Sequence, residues 1–340
     1  MSYIATGTTG GPGRAHGGRP LGATGFPWPS VAVIGAGVSG LTAAYLLPRT
    51  HKVALFEAEE RLGGHAHTHD LTDSDGRRHA VDSGFIVHND VTCVWSAGRE
   101  TALAYPARYL FRFLDHHGML QAGGSPRWYS IAGGSRTYVE RLAGPLKDVR
   151  AARAVTDVTR RQDGVELRDV TGQVTRMARV VIATHADQAL GLLTDPSDGE
   201  AAILNQFGYS ANVAVLRTDG SVLPEARNGR ASWNYRMTSC DRPSQAATMT
   251  YWMNRLQGHR SPEDFLVTLN DRELLEPRSV AAVMHCEHPV YTAEVVRAQS
   301  QLAGLATDRT VYAGAYHGWG FHEDGCRSGV EAARHFGVTW

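Results

Sequence analysis

The stretch Gly35-Ala36-Gly37-Val38-Ser39-Gly40 carries the clearest chemistry in the chain. Glycines at this spacing suit a backbone that must close on a diphosphate. Gly35 permits a tight turn, Gly37 lets main chain approach the phosphates, and Gly40 lets a helix pack on a strand. A helix starting here offers open N–H groups and a partial positive charge to the anion. Ser39 falls in its first turn. Glu57 stands 17 residues beyond Gly40 at the end of the next apolar run, where its carboxylate can accept from ribose hydroxyls. The competing reading is a glycine-rich turn in another α/β fold.

A second glycine-rich unit lies near the C-terminus: Thr310-Val311-Tyr312-Ala313-Gly314-Ala315-Tyr316, then Gly325-Cys326-Arg327-Ser328-Gly329-Val330. A simple NAD dehydrogenase concentrates its signal in one N-terminal block. Two units suit a longer dinucleotide such as FAD, with the diphosphate at the first and the ribityl chain and flavin at the second. Between that strand and the last helix stand His317, Trp319, His322, Glu323 and Asp324. An aromatic there can stack near the ring, and a histidine or carboxylate can move a proton as hydride leaves a substrate. His322, with a reference pKa near 6.5, is the expected proton carrier. Glu323 is expected to bond the ribityl chain or backbone. The bland alternative is a rigid loop that holds the cofactor and transfers nothing.

Other clusters invite metal readings. His65, His67 and His69 alternate, so a strand would put them on one face. His116-His117 precedes Gly118, and His285-Cys286-Glu287-His288 precedes Pro289. No cysteine or acid accompanies the first group at metal-ligand spacing. The second suits a helix end and the third a strand end, so no metal is expected. The four cysteines, Cys93, Cys240, Cys286 and Cys326, lack CxxC spacing and read as reduced thiols. No nucleophile elbow or Ser-His-Asp order supports a hydrolase.

These residues need elements to position them. Val31 to Ile34 reads as a buried strand, Leu41 to Leu47 as a helix stopped near Pro48, and Val53 to Phe56 as a second strand. Together they make a βαβ unit. Arg61-Leu62-Gly63-Gly64 is a turn, and Val81 to Val87 another strand. Helix is expected from Thr101 to Leu120 and from Arg136 to Leu142. Strands follow at 154–158, 165–168 and 179–183. A β-rich stretch has candidates at 211–216, 247–252, 265–269 and 281–285. A helix over 293–305 leads to a strand at 310–314, and the last helix starts near Gly325.

The chain has 340 residues, room for two domains. Its 34 basic and 34 acidic residues balance, so no charge field favours nucleic acid. No apolar run approaches the ~18 residues that span a bilayer. The first 29 residues lack a signal-peptide core and read as a flexible tail, which gives a cytoplasmic expectation.

The sequence resembles the flavin-dependent amine oxidase and phytoene desaturase superfamily. The likeness is carried by VAVIGAGVSGLTAAYLL, LFEAEERLGGHAHT, DSGFIVHN, the GGS before a helix, VVIAT and VYAGAYHGWGFHEDGCRSG. Within it, YPARYLFRFLDHHGML and GFHEDGCRSG resemble a bacterial branch of predicted NAD/FAD-binding proteins. The resemblance implies FAD contacts from Gly35, Gly37, Gly40, Glu57, Arg61, Gly63 and Gly64, and flavin contact from Gly314, Gly329 and their neighbours. The full cofactor set adds Ser39, His65, Gly84, Val155, Ala315 and Gly325. There are two departures. Gly314 is followed by Ala315 where many relatives carry an acid. Asn89 reaches Val94 through only Asp90 to Cys93, where relatives insert a long helical segment that walls the substrate cavity.

The implied fold is α/β, with a discontinuous Rossmann-like FAD-binding domain (30–204 and 307–340) and a smaller β-rich substrate domain (205–306). The implied activity is FAD-dependent hydride removal from a C–H bond of an apolar, lipid-like small molecule, with peripheral membrane contact left open. Amine oxidation is the alternative. A catalytically inert FAD-binding remnant or scaffold is the third reading, from a different class.

Overall fold

The structure is a computed structural model that describes residues 29–84, 103–120, 129–236, 248–271 and 277–340. The N-terminal tail, the short junction at 90–93 and the strand expected beyond Gly84 lie outside the described residues.

A five-stranded parallel sheet forms the centre. Its strands are β1 (Ser30–Ile34), β2 (Lys52–Phe56), β5 (Val149–Arg150), β9 (Arg179–Ile182) and β15 (Thr310–Tyr312), in the order β15-β9-β1-β2-β5. All five residues of β1 are buried. Val31 and Val33 enter one apolar cluster and Ala32 and Ile34 another, so both faces of the sheet are covered. This is why the strand reads as unbroken apolar residues rather than an alternating pattern. Each fully buried Val or Ile contributes about 1.5–3 kcal/mol.

Helix α1 (Val38–Leu46) follows β1 and leads to β2. The chain then makes the antiparallel pair β3 (Thr68–Thr72) and β4 (Arg78–Asp82). Helix α2 (Ala107–His116) lies inside the broader helix expected there, and α3 (Arg136–Ala143) matches its expectation within a residue. Strands β6 (Val155–Arg161), β7 (Gly164–Asp169) and β8 (Val174–Met177) form a meander ahead of β9. Helices α4 (Ala186–Leu192) and α5 (Asp198–Leu204) come next.

A second five-stranded sheet is antiparallel. It comprises β10 (Gly208–Arg217), β11 (Trp233–Arg236), β12 (Thr248–Trp252), β13 (Leu266–Leu269) and β14 (Val280–Val290), in the order β11-β12-β13-β10-β14. Helix α6 (Met253–Gln257) leaves β12. His285 to His288 sit inside β14, not at its end, because β10 pairs along the strand as far as Val290. Helix α7 (Ala293–Gln299) then returns the chain to β15.

The last helix, α8, runs His322–His335. It begins three residues before the expected start at Gly325. Asp324 explains the shift: its carboxylate accepts from the N–H groups of Trp319 and Phe321 and caps the turn from within. His322 and Glu323 therefore belong to the first helical turn, not to a loop before it.

Candidate functional site

In the parallel sheet the chain leaves β1 toward β2 on one side, while β9 lies on the other. The order reverses at β1, and ligands of such sheets bind beyond the strand ends at the reversal. Gly35 sits at that point. Its N–H donates to Phe56 O at 2.8 Å, and Ala183 N–H donates to Ile34 O at 2.8 Å. Its φ of +95° is one that side chains avoid, and a Cβ there would stand 2.6 Å from Ala183 O. A Cβ on Gly40 would collide with Gly35 O and lie 3.2 Å from the Ala183 side chain. At Gly37 a Cβ would meet nothing within 4 Å. The three glycines thus differ: Gly35 and Gly40 are held by close backbone contacts, and Gly37 stands beside open space at the start of α1. No side chain caps the first turn of α1, so its N–H groups suit an anion.

The second glycine pair locks onto the first. Gly63 N–H donates to Ala36 O at 2.8 Å, and Gly37 and Gly63 form an isolated parallel bridge. A Cβ on Gly64 would lie 3.1 Å from Gly37 Cα. Arg61 holds this turn: its guanidinium donates to the carbonyls of Leu62, Gly64 and Ala66. Glu57 Oε2 accepts from Ala36 N–H at 2.6 Å and Oε1 from Glu59 N–H at 3.0 Å. Its carboxylate is thereby pinned at the edge of the glycine turn. Val155 is buried at the start of β6, two residues past Arg153, whose N–H donates to Glu57 O at 2.8 Å. A Cβ on Gly84 would collide with His65 O, which draws β4 tight against the glycine turn.

The C-terminal unit arrives beside α1. A Cβ on Gly325 would lie 3.0 Å from Ser39 Oγ, and one on Gly329 would collide with Ser39 O and press on Thr42. Helices α1 and α8 therefore run parallel in close contact, with their first turns side by side. Two helix starts converge on one side of the sheet, as a long dianionic ligand requires. Sequence reasoning read Gly325 and Gly329 as cofactor contacts; the structure shows them packing α8 against α1. Gly314 N–H donates to Ser328 Oγ at 2.9 Å, which ties β15 to α8. A Cβ on Gly314 would collide with the Tyr316 ring. Ala315 opens the short turn Ala315–His317.

The four candidate catalytic residues separate. His322 is drawn inward. Its Nδ1 lies 3.0 Å from Tyr138 Oη on α3. Burial, and then the charge of His65, lower its pKa from 6.5 to about 4, against the pull of Asp82. The neutral-range value expected from sequence is thus corrected downward. Glu323 is exposed, and the backbone-bonded carboxylate of this turn is Asp324. Trp319 turns toward α2, with its ring centroid 5.0 Å from His116 and 6.0 Å from Phe113. Burial, then Arg327, lower His317 to about 4. His67 and His69 share a face, with ring centroids 4.0 Å apart. His65 turns instead toward His185 and His288.

Sequence reasoning did not single out Tyr138 or His185, which contact His322 and His65, and it weighed His288 only within a metal cluster that it set aside. Tyr138 stands three residues after Ser135, and His185 directly follows the VVIAT strand. Position relative to those motifs was the available signal.

A model of the NAD(P)-binding Rossmann-like domain matches residues 33–100, and one of the flavin containing amine oxidoreductases matches residues 98–270, slightly over half of the chain. A tryptophan 2-monooxygenase of Allorhizobium ampelinum is 54% identical over 54 residues, 14% of this chain and 8% of that protein. An L-amino acid oxidase of Cerastes cerastes is 55% identical over 40 residues, 12% of this chain and 8% of that protein. The matched stretches thus span under a tenth of these relatives. Among solved structures, cyclohexylamine oxidase from Brevibacterium oxydans aligns over 91% of this chain and 99% of its own, with a TM-score of 0.59 and 12% identity. A fatty acid isomerase from P. acnes aligns over the same shares, with a TM-score of 0.57 and 15% identity. At such identities the likeness is one of fold. By the match across half its length, the chain belongs to the flavin containing amine oxidoreductase family.

Proposed function

We propose that this chain is an FAD-dependent oxidoreductase that removes hydride from a C–H bond of an apolar substrate. Its family supplies the cofactor class. The observation that carries the reading is the pair of helix starts, α1 and α8, packed through Gly325 and Gly329 beside the open face of Gly37. Residues 30–204 and 307–340 hold the cofactor in this reading, and 205–306 shape the substrate side. FAD, when bound, supplies the acceptor for the hydride.

The chain's own groups do the rest. Gly35, Gly37, Ser39 and Gly40 cradle the diphosphate. Glu57 meets the adenosine ribose, with Val155 nearby. Arg61, Gly63, Gly64, His65 and Gly84 form the wall of the cradle. Gly314 and Ala315 approach the flavin end. His322 takes the proton released beside the broken C–H bond. When Nδ1–H donates to Tyr138, the ring's lone pair is on Nε2, which is the form a base needs.

Amine oxidation is the second reading. It is favoured by the family's description and by the cyclohexylamine oxidase likeness. One experiment tests the oxidoreductase reading. The purified protein should be yellow, with one FAD per chain, and its absorbance near 450 nm should bleach anaerobically on adding substrate. A colourless protein that cannot be reconstituted with FAD would overturn the assignment.

A further inference from the structure

Asp82 ends β4 and is buried, yet among the described residues no arginine or lysine pairs with it. Neutral donors satisfy it instead. Its Oδ1 accepts from Thr68 Oγ1 at 2.5 Å, Ser135 Oγ at 2.8 Å and Ser135 N–H at 2.9 Å. Its Oδ2 accepts from Ser135 N–H at 3.0 Å and from Gln257 Nε2 at 3.0 Å. In return, Asp82 N–H donates to Gln257 Oε1 at 2.9 Å. These two bonds fix the Gln257 amide, since its oxygen must meet the N–H and its nitrogen the carboxylate.

The same carboxylate meets the start of α3. Gly133 and Gly134 take φ of +82° and +81°, and a Cβ on Gly134 would stand 2.5 Å from Thr68 Cγ2 and 3.1 Å from Asp82 Oδ1. Glycine lets the chain turn this close to the β3–β4 pair. Arg136 N–H, the next along the helix, donates to Thr68 Oγ1 at 2.9 Å. An anion at a helix start is favourable. Ser135 O then accepts from Tyr138 N–H at 3.2 Å, and Tyr138 Oη lies 3.0 Å from His322 Nδ1. Gln257, Asp82, Ser135, Tyr138 and His322 are thus joined link by link through hydrogen bonds.

Gln257 comes from another part of the fold. It ends α6, which carries the chain from β12 toward β13 of the antiparallel sheet. An apolar side chain of similar length would fill this place without burying polar groups. A fully satisfied polar network does something apolar contact does not: it fixes the distance and angle between the elements it joins. Asp82 is also near enough to act on both Tyr138 and His322. We propose that Gln257 is a positioning residue: through Asp82 and Ser135 it seats the first turn of α3, so the antiparallel sheet sets the Tyr138–His322 bond. This rests on the reading of His322 as the group that takes the substrate proton. It means that the sheet on the substrate side also orients the base.

The test reads the His322 ring itself. Burial keeps this ring neutral at pH 7.5, so one of its two nitrogens carries the proton. Long-range ¹H–¹⁵N spectra of protein labelled with ¹⁵N-histidine show which one, and His322→Gln assigns the signal. Spectra are recorded on the FAD-loaded protein and on the same preparation without added FAD. The wild-type ring should be held as the Nδ1–H form. Gln257→Met, which removes both bonds to Asp82, should lower the ratio of Nδ1–H to Nε2–H forms about fivefold, the weight of one hydrogen bond.

A compensating pair separates positioning from stability. Asp82→Asn turns an N–H₂ toward the N–H₂ of Gln257, and Gln257→Glu sets two carboxylates face to face. Each should disturb the ratio. Together they bond again, with donor and acceptor exchanged, and the wild-type ratio should return. An unchanged ratio in Gln257→Met, even with a lowered melting temperature, overturns the proposal, as does a double variant no better than its singles. Should Asp82→Asn fail to fold, Gln257→Met at the half-buried end of α6 still decides the matter. A wild-type ring held as Nε2–H would count against His322 as the base, while the shift on losing Gln257 still decides this inference.

Discussion

Tyr138 reaches from α3 to the first residue of α8, placing its hydroxyl 3.0 Å from His322 Nδ1. The bond spans 184 positions of sequence and joins two helices that carry no shared motif. It sets the orientation of the ring proposed to take the substrate proton. Removing the hydroxyl should leave the cofactor seated and disturb only the proton step. Tyr138→Phe is expected to slow anaerobic flavin reduction by about tenfold, the lower part of the range for positioned acid–base groups. FAD content should stay at the wild-type level. An unchanged reduction rate would remove Tyr138 from the mechanism.

The depressed pKa of His322 gives a pH dependence. Its basic form exists above about 4, because burial and the nearby His65 oppose protonation. Flavin reduction should therefore be flat from pH 5.5 to 8 and fall as pH drops through 4 to 5. His322→Gln should abolish the acid limb. A limb centred near 6.5 in stopped-flow reduction would show that the ring is not held in the environment described.

Gly37 and Gly329 separate binding from folding. A side chain at position 37 enters open space, so Gly37→Val should fold with a near-native melting temperature and lose FAD. A side chain at 329 collides with Ser39 O and Thr42. Gly329→Val should destabilise the chain by at least 1–3 kcal/mol, about the cost of overpacking. Thermal melts and flavin absorbance of the two variants check both halves. If Gly37→Val retains FAD, the diphosphate lies elsewhere.

Much of this was legible in the residues. The βαβ unit around Gly35 to Glu57 is local: strand, turn, helix and acid are adjacent in sequence, and each has a steric reason to be what it is. The strands expected at 211–216, 247–252, 265–269 and 281–285 all fall on strands of the antiparallel sheet, so they too are readable from composition. Helix α8 was misplaced by three residues because Asp324 caps it through side-chain bonds to Trp319 and Phe321, and residue types alone do not reveal those bonds. Glu323 and Asp324 are neighbours of the same charge, and only packing decides that one is exposed and the other buried. Trp319 packs against Phe113 and His116 of α2, a contact between distant segments that residue types alone do not reveal. His185 and His288 are 103 positions apart, so no spacing rule pairs them. Their meeting is a property of how the two sheets adjoin.

Glu200 holds three elements together. Its Oε1 accepts from Arg160 Nη1 at 2.6 Å and from Tyr312 Oη at 2.6 Å, while Oε2 accepts from Arg160 Nη2 at 3.0 Å and Ser197 N–H at 2.8 Å. This ties β6 and β15 to the start of α5. Burial alone would raise the pKa of the carboxyl, but the bonds from Arg160, Tyr312 and Ser197 outweigh it and hold the group at about 2. A folded-state pKa below the unfolded value contributes stability that is full above the unfolded pKa and lost as pH falls toward the folded one. The window here runs from about 4.5 down to about 2. Glu200→Gln keeps the shape and removes the charge, leaving Arg160 half-paired and one acceptor fewer for Tyr312. The expected loss at pH 7 is about 2–3 kcal/mol, the range for a charged hydrogen-bonded group in a buried network. Urea unfolding at pH 7 and again at pH 3 measures it. The gap between wild type and variant should narrow at the lower pH, since the wild-type carboxylate is then losing its advantage. A gap that is constant with pH would mean that the variant acts through packing and not through the ion pair.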